Sequence, residues 1–137
     1  MAHETSRSRR SSALFSNLQR LTALVGGAVL TLVGVAGFLA SGDQLLVFGV
    51  NPLHNGFHLL TGVFGLGVGL VGTAYADEYN QTMAVLYSAL LLGWFAAPDR
   101  MVELLNSGAA DAGLHAALAI VFGLVGFFGA IAGYGRT

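Results

Sequence analysis

Residues 56–75 read GFHLLTGVFGLGVGLVGTAY, twenty residues with six glycines and no Asp, Glu, Lys or Arg. In water such a run makes a poor helix, because each interior glycine disfavours the helix by about 1 kcal/mol relative to alanine. In a bilayer the preference reverses. An unpaired backbone group in hydrocarbon costs several kcal/mol, so only helices and closed barrels cross it. A barrel strand would alternate apolar and polar residues over roughly 10 positions, and this stretch does not alternate. It therefore reads as a transmembrane helix, matching the ~20 residues that span a hydrocarbon core of about 30 Å.

Three further stretches meet the same criteria. Leu21–Ala40, LTALVGGAVLTLVGVAGFLA, is uncharged and stopped by Ser41-Gly42-Asp43. Gln81–Ala97, QTMAVLYSALLLGWFAA, is closed by Pro98-Asp99-Arg100, since proline cannot continue the hydrogen-bond ladder. Gly113–Gly135, GLHAALAIVFGLVGFFGAIAGYG, is the last. The polar connections are short, so neighbouring helices should run antiparallel. The expected fold class is all-α, an integral membrane four-helix bundle with spans at about 21–40, 56–75, 81–97 and 113–135. One transmembrane domain then covers residues 21–137, preceded by a flexible cytoplasmic arm over residues 1–20. Residues 45–50, LLVFGV, are too short to cross and are expected at the interface or as a helical turn over the bundle end.

Whole-chain composition points the same way. The 137 residues are 55% hydrophobic and 9% charged, against about a quarter charged in a soluble domain. Cysteine is absent, which excludes disulfides, iron–sulfur clusters and thiol nucleophiles. A net charge of −1 gives no field that would attract nucleic acid over the whole surface. All six basic residues are arginines; Arg7, Arg9, Arg10 and Arg20 precede the first span and Arg136 follows the last. The positive-inside rule then places both termini in the cytoplasm of a multi-pass cell-membrane protein. Tyr75, Tyr79 and Tyr134 would mark the inner boundary, and Phe38, Trp94 and Phe95 the outer one, as an aromatic belt. Ser8-Arg9-Arg10 ahead of an apolar run also resembles a twin-arginine signal, with a small-residue cleavage site at Val35-Ala36-Gly37. That run is longer than the usual 7–15 residues of a signal core, so the span reading is preferred.

The second and fourth spans both run from outside to inside. His54, His58 and His115 therefore fall at the outer starts of two helices, while His3 lies in the arm. In the second span His54, His58, Gly62, Gly65, Gly69 and Gly72 follow one another by three or four positions. In the fourth, Asp111, His115, Ala119, Phe122, Gly126, Gly129 and Gly133 do the same. Residues so spaced share a helix face, so each histidine stands above a stripe of mostly small residues. Ala23, Gly27, Leu30, Gly34, Gly37 and Ser41 form another in the first span. Membrane helices approach most closely along such stripes. Gly62, Gly65, Gly69, Gly72, Gly126, Gly129 and Gly133 are thus the expected packing positions, and the histidines are expected to face neighbouring helices. HNGFHLLTGVFGLGVGLVG laid over DAGLHAALAIVFGLVGFFG sets His58 on His115 and His54 on Asp111, a pattern of two repeated helical hairpins.

Three readings of this cluster stand side by side. His54, His58 and His115 with Asp111 or Glu103 make an imidazole and carboxylate set suited to zinc, copper, iron or nickel. His58 and His115, one from each helix with glycines opening space between, suit the axial positions of a b-type haem. The structural reading has histidine and asparagine capping helix starts and bonding across helices, at about 0.6–2 kcal/mol per contact. No HExxH, GxSxG or GxxxxGK[ST] motif is present, and every acid and arginine lies near a span end, which disfavours coupled ion transport. The expected function is a structural or accessory membrane component, not an enzyme, with no catalytic residue and no required cofactor. The alternative is a metal- or haem-binding membrane protein, with electron transfer as its use. Expected partners are the lipid bilayer and either further copies of the chain or subunits of a larger membrane complex.

Asn51-Pro52, His54-Asn55-Gly56, His58 and Gly62 entering the second span, with Asp111 and His115 entering the fourth, resemble a family of small prokaryotic membrane proteins. That family is grouped as a domain of unknown function with four predicted spans. The resemblance covers Leu21 to Gly135 and implies an integral membrane protein. It assigns no activity, catalytic residue or cofactor.

Overall fold

A computed structural model of the chain describes residues 2–131. Gly133, Tyr134 and Arg136 lie outside the described residues, as do the side chains of His3, Arg7 and Arg10 and the surroundings of Gly129. Helix α1 runs Ala2–Leu39. Residues 2–20, expected as a separate arm, continue the same helix as the apolar run. No glycine or proline interrupts the chain before Gly26, and leucine, arginine, glutamine and alanine are good helix formers.

Beyond Ser41-Gly42-Asp43 the chain forms an antiparallel hairpin, β1 (Gln44–Leu45) and β2 (Phe48–Gly49), and not the helical turn that was one of the two expectations for residues 45–50. So short a stretch carries no periodicity, and contacts from elsewhere define it. Asn106 Nδ2 donates to the Asp43 carbonyl at 2.7 Å, and the Val50 N–H donates to the same oxygen at 2.8 Å. Gly49 lies so close beneath the Asn106 carbonyl that no side chain would fit there.

Helix α2 (Pro52–Val71) starts four positions ahead of the expected span. Asn51 caps it, its Oδ1 accepting the His54 N–H at 2.8 Å. Pro52 occupies the first helical position, where its missing N–H has no intrahelical partner to lose. Gly72 ends the helix at φ 140°, a conformation that side-chain-bearing residues rarely adopt. Expected on the packing stripe, Gly72 instead has no atom within 4 Å of where a Cβ would stand. Gly72→Ala is therefore expected to destabilise the protein by more than about 1 kcal/mol through the backbone alone. Chemical unfolding would measure this, and an unchanged midpoint would mean that the turn relaxes freely.

Helices α3 (Ala76–Ala96), α4 (Pro98–Leu105) and α5 (Ala109–Ile131) complete the chain. Helix α4 occupies what the sequence suggested was a polar loop. It starts on Pro98, buries Met101 and Leu105 one turn apart, and ends at Asn106 with φ 51°. Asparagine is one of the few residues other than glycine that visits this left-handed region routinely.

The major contacts pair α1 with α2 and α3 with α5, each pair antiparallel. Glycine allows the backbones to touch. A Cβ at Gly27 would stand 2.6 Å from the Leu66 nitrogen, one at Gly34 2.6 Å from the Leu59 nitrogen, and one at Gly126 2.7 Å from the Gln81 nitrogen. Gly62 faces Gly27 and Thr31, Gly65 lies under the Tyr79 ring, and Gly69 lies against Leu24. Tyr79 is thus not a boundary residue: it is buried, its hydroxyl donating to the Thr61 carbonyl at 2.9 Å. Ala23, Leu30, Met83, Ala84, Tyr87 and Phe122 fill the centre.

The architecture is all-α with one small hairpin. Two helical segments, Ser12–Leu39 and Ala109–Phe128, are long and apolar enough to cross a membrane by length and composition alone. Helices α2 and α5 begin at the same end, beneath the hairpin and α4, and this brings their first turns together.

Candidate functional site

His54 and His58 lie one turn apart near the start of α2, and His115 lies in the second turn of α5. Their ring centroids are 4.6 Å apart for His54–His58, 5.8 Å for His54–His115 and 6.2 Å for His58–His115. One nitrogen from each ring lies within 4.8 Å of the other two. All three are withdrawn from solvent, at 2%, 3% and 0% exposure. Aromatic rings wall them in. Tyr87 lies 5.5 Å from His115 and stacks on Phe122 at 6.3 Å, while Phe57 packs edge-on to His58 at 6.1 Å.

The Tyr87 hydroxyl and His58 Nδ1 are 3.2 Å apart, the direction of donation depending on the imidazole tautomer. Both ring nitrogens of His54 and both of His115 are buried with no hydrogen-bond partner among the described residues. Leaving such a group unpaired costs about 1–3 kcal/mol. Four of them weigh heavily against a net domain stability of about 5–15 kcal/mol. A purely structural role accounts for Asn51, which caps α2 and donates to the Leu104 carbonyl at 2.9 Å. It does not account for His54 and His115.

The carboxylates do not join the imidazoles. Asp111 Oδ2 accepts the Gly49 N–H at 3.1 Å and the Gly108 N–H at 2.9 Å, tying the hairpin to the start of α5. Glu103 is on the exposed side of α4, paired with Arg100 at 2.7 Å. Among the described residues, His54, His58 and His115 are the group of potential ligands that converges.

Residues 20–128 match the family described as Domain of unknown function (DUF4383). The chain belongs to the DUF4383 family. The matched segment takes in the three histidines, Tyr87, the hairpin and Asp111. No curated protein and no solved structure matches significantly.

The DUF4383 chain does not fit a haem between His58 and His115. The glycines expected to open space are occupied from neighbouring helices, Gly62 by Thr31, Gly65 by Tyr79 and Gly69 by Leu24. Phe57, Tyr87 and Phe122 close the sides of the cluster.

Two polar features escaped the sequence reading. Tyr87, inside the apolar stretch 81–97, is fully buried against the cluster; a lone tyrosine in the middle of an apolar stretch was the available signal. At the opposite end a second polar layer joins three helices. Asn80 Nδ2 donates to Gln19 Oε1 at 2.6 Å, Gln19 Nε2 to the Val125 carbonyl at 2.6 Å, and Gln81 Nε2 to the Gly126 carbonyl at 2.9 Å. Gln19 and Asn80 sit just outside the apolar runs 21–40 and 81–97, where hydropathy gives them no direction.

Proposed function

We propose that this DUF4383 chain is a four-span integral membrane protein and acts as a structural or accessory component of the cell membrane. Helices α1, α2, α3 and α5 would form the spans. One observation carries the reading: polar residues are inside and apolar residues outside. Leu32 (68% exposed), Phe64 (67%), Leu70 (72%), Leu92 (66%) and Phe95 (70%) point outward. Gln19, His54, Asn55, His58, Thr61, Asn80, Asp111 and His115 are buried. Water-soluble domains bury their large apolar side chains and rarely expose apolar patches beyond a few hundred Å².

This inversion supports spans in α2 and α3 as well, although their composition is more polar than that of α1 and α5. Of the residues that lower their hydropathy, His54, Asn55, His58 and Thr61 on α2 and Tyr79 and Asn80 on α3 are buried. What remains outside includes Leu60, Val63, Phe64 and Leu70 on α2 and Val85, Leu92 and Phe95 on α3. Charge collects at the ends, Asp43, Asp99, Arg100 and Glu103 by the hairpin and α4, Arg20, Asp77 and Glu78 at the other. The arginine distribution favours a cytoplasmic location for the Arg20 end. Burial of the histidines denies them to a dissolved substrate, in keeping with a non-enzymatic role beside lipid, further copies of the chain or subunits of a larger complex.

Because the chain has no cysteine, single cysteines test the topology directly. Cysteine at Leu46 or Val102 should react with an impermeant maleimide on intact cells, and cysteine at Thr73 or Ala74 only after permeabilisation. The protein should also stay in the pellet after alkaline carbonate extraction. Labelling of both pairs from one side, or release by carbonate, would overturn the four-span reading.

A further inference from the structure

We propose that His54, His58 and His115 form a binding site for one transition-metal ion, with copper(I) the favoured occupant. The inference does not depend on topology, since metal content is read on the purified chain. Its first support is that both ring nitrogens of His54 and both of His115 are buried without hydrogen-bond partners among the described residues, and that one nitrogen from each of the three rings lies within 4.8 Å of the other two. Neutral imidazole is a ligand suited to zinc, copper, iron and nickel, and an ion takes one lone pair from each ring.

The geometry needs little adjustment. Metal–nitrogen bonds of about 2.0–2.1 Å imply nitrogen separations of roughly 3.3–3.6 Å. Rotation of the rings about χ2, a torsion with broad wells, closes the remaining distance. Tyr87 fixes one ring. With the His58 Nδ1–H donating to the Tyr87 oxygen across their 3.2 Å contact, Nε2 of His58 keeps its lone pair for the metal. A hydrogen bond of this kind on the far nitrogen is the usual way a protein orients a ligating histidine.

Charge selects the ion. Among the described residues no carboxylate converges with the imidazoles, and the surrounding walls are Phe57, Tyr87 and Phe122. The N-terminal ends of α2 and α5 both direct partial positive charge toward this region. Asp111, one turn before His115 and buried, supplies a single negative charge. A monovalent ion is balanced by it, whereas a divalent ion leaves an uncompensated buried charge, which is strongly unfavourable. The charge balance thus favours copper(I), and three neutral imidazole donors within aromatic walls suit its three-coordinate monovalent state.

The test is a titration of the full chain, purified in detergent, with copper(I) in competition with a chromophoric copper(I) chelator, and with zinc in parallel. One copper(I) per chain is expected, with a rise in Tm on loading and three nitrogen neighbours by X-ray absorption. His54→Gln, His58→Gln and His115→Gln each keep a polar side chain of similar size, and each should weaken binding at least a hundredfold. Tyr87→Phe should weaken it about tenfold, in the range for loss of a group that orients a ligand. Circular dichroism and gel filtration report whether each variant folds, and for one that does not, the X-ray absorption spectrum of the copper-loaded wild-type chain decides.

Folded wild-type protein that takes up neither ion overturns the site. So does a triple glutamine variant that binds like the wild type. A Tm that follows pH without metal uptake means that the cluster holds only a proton, and overturns it too. Zinc uptake without copper(I) uptake overturns the charge argument and the assignment of copper.

Discussion

Leucine at Gly27 or Gly62 is expected to leave no folded, monodisperse protein. These two glycines face each other where α1 meets α2, the more extensive of the two major helix contacts. A Cβ at Gly27 would stand 2.8 Å from the Gly62 oxygen and 2.6 Å from the Leu66 nitrogen, and these are backbone atoms that cannot rotate away. Overpacking a core costs typically 1–3 kcal/mol when side chains can shift. Here the helices themselves must separate and give up contact along their length, so the expected loss exceeds about 3 kcal/mol, a large part of the usual 5–15 kcal/mol. Gly67→Leu is the control. It lies on the same helix with nothing within 4 Å, and leucine is the better helix former, so its Tm should stay equal or rise. Thermal unfolding followed by circular dichroism, with gel filtration, separates the cases. Equal damage from Gly67→Leu and Gly62→Leu would show that the close face has been misplaced.

Asp111→Ala should be the most damaging change among the charged residues. Its carboxylate is buried and accepts two backbone N–H groups, from Gly49 and Gly108. Hydrogen bonds to a charged acceptor are worth about 1.5–3 kcal/mol each, so losing both is expected to remove roughly 3–6 kcal/mol. The effect should be local first. Hydrogen exchange at residues 44–49 should quicken, because the hairpin loses its tie to α5. Asp111→Asn keeps an acceptor oxygen and should cost about 1–2 kcal/mol. If alanine and asparagine behave alike, the two N–H groups find other partners and the carboxylate is not what anchors the hairpin.

Much of the architecture could be read from residue order. Long uncharged runs placed the helices, and steps of three and four set His54, His58 and His115 toward neighbouring helices, where the structure has them meet. The limits were less legible. Asn51-Pro52 is a cap followed by a favoured first helical residue, yet a hydropathy criterion starts the span only at Gly56, because His54 and Asn55 read as polar without their inward direction. The hairpin at 44–49 and helix α4 have too few residues for periodicity, and Asn106 and Asp111, distant in sequence, hold them. Asp111 itself shows the limit of pattern. An acid one turn from a histidine suits both a ligand and a cap, and only the positions of Gly49 and Gly108 decide for the cap.

Spin-label accessibility at Phe64 on α2 and Val85 on α3 tests the inverted packing at its weakest point, the two long helices less apolar than Ser12–Leu39 and Ala109–Phe128. Both side chains point outward, at 67% and 60% exposure. With single cysteines labelled by a nitroxide in reconstituted vesicles, oxygen should relax both probes far more than a water-soluble nickel chelate does. Greater relaxation by the nickel chelate at either position would put that helix in water and contradict a four-span protein with a polar interior.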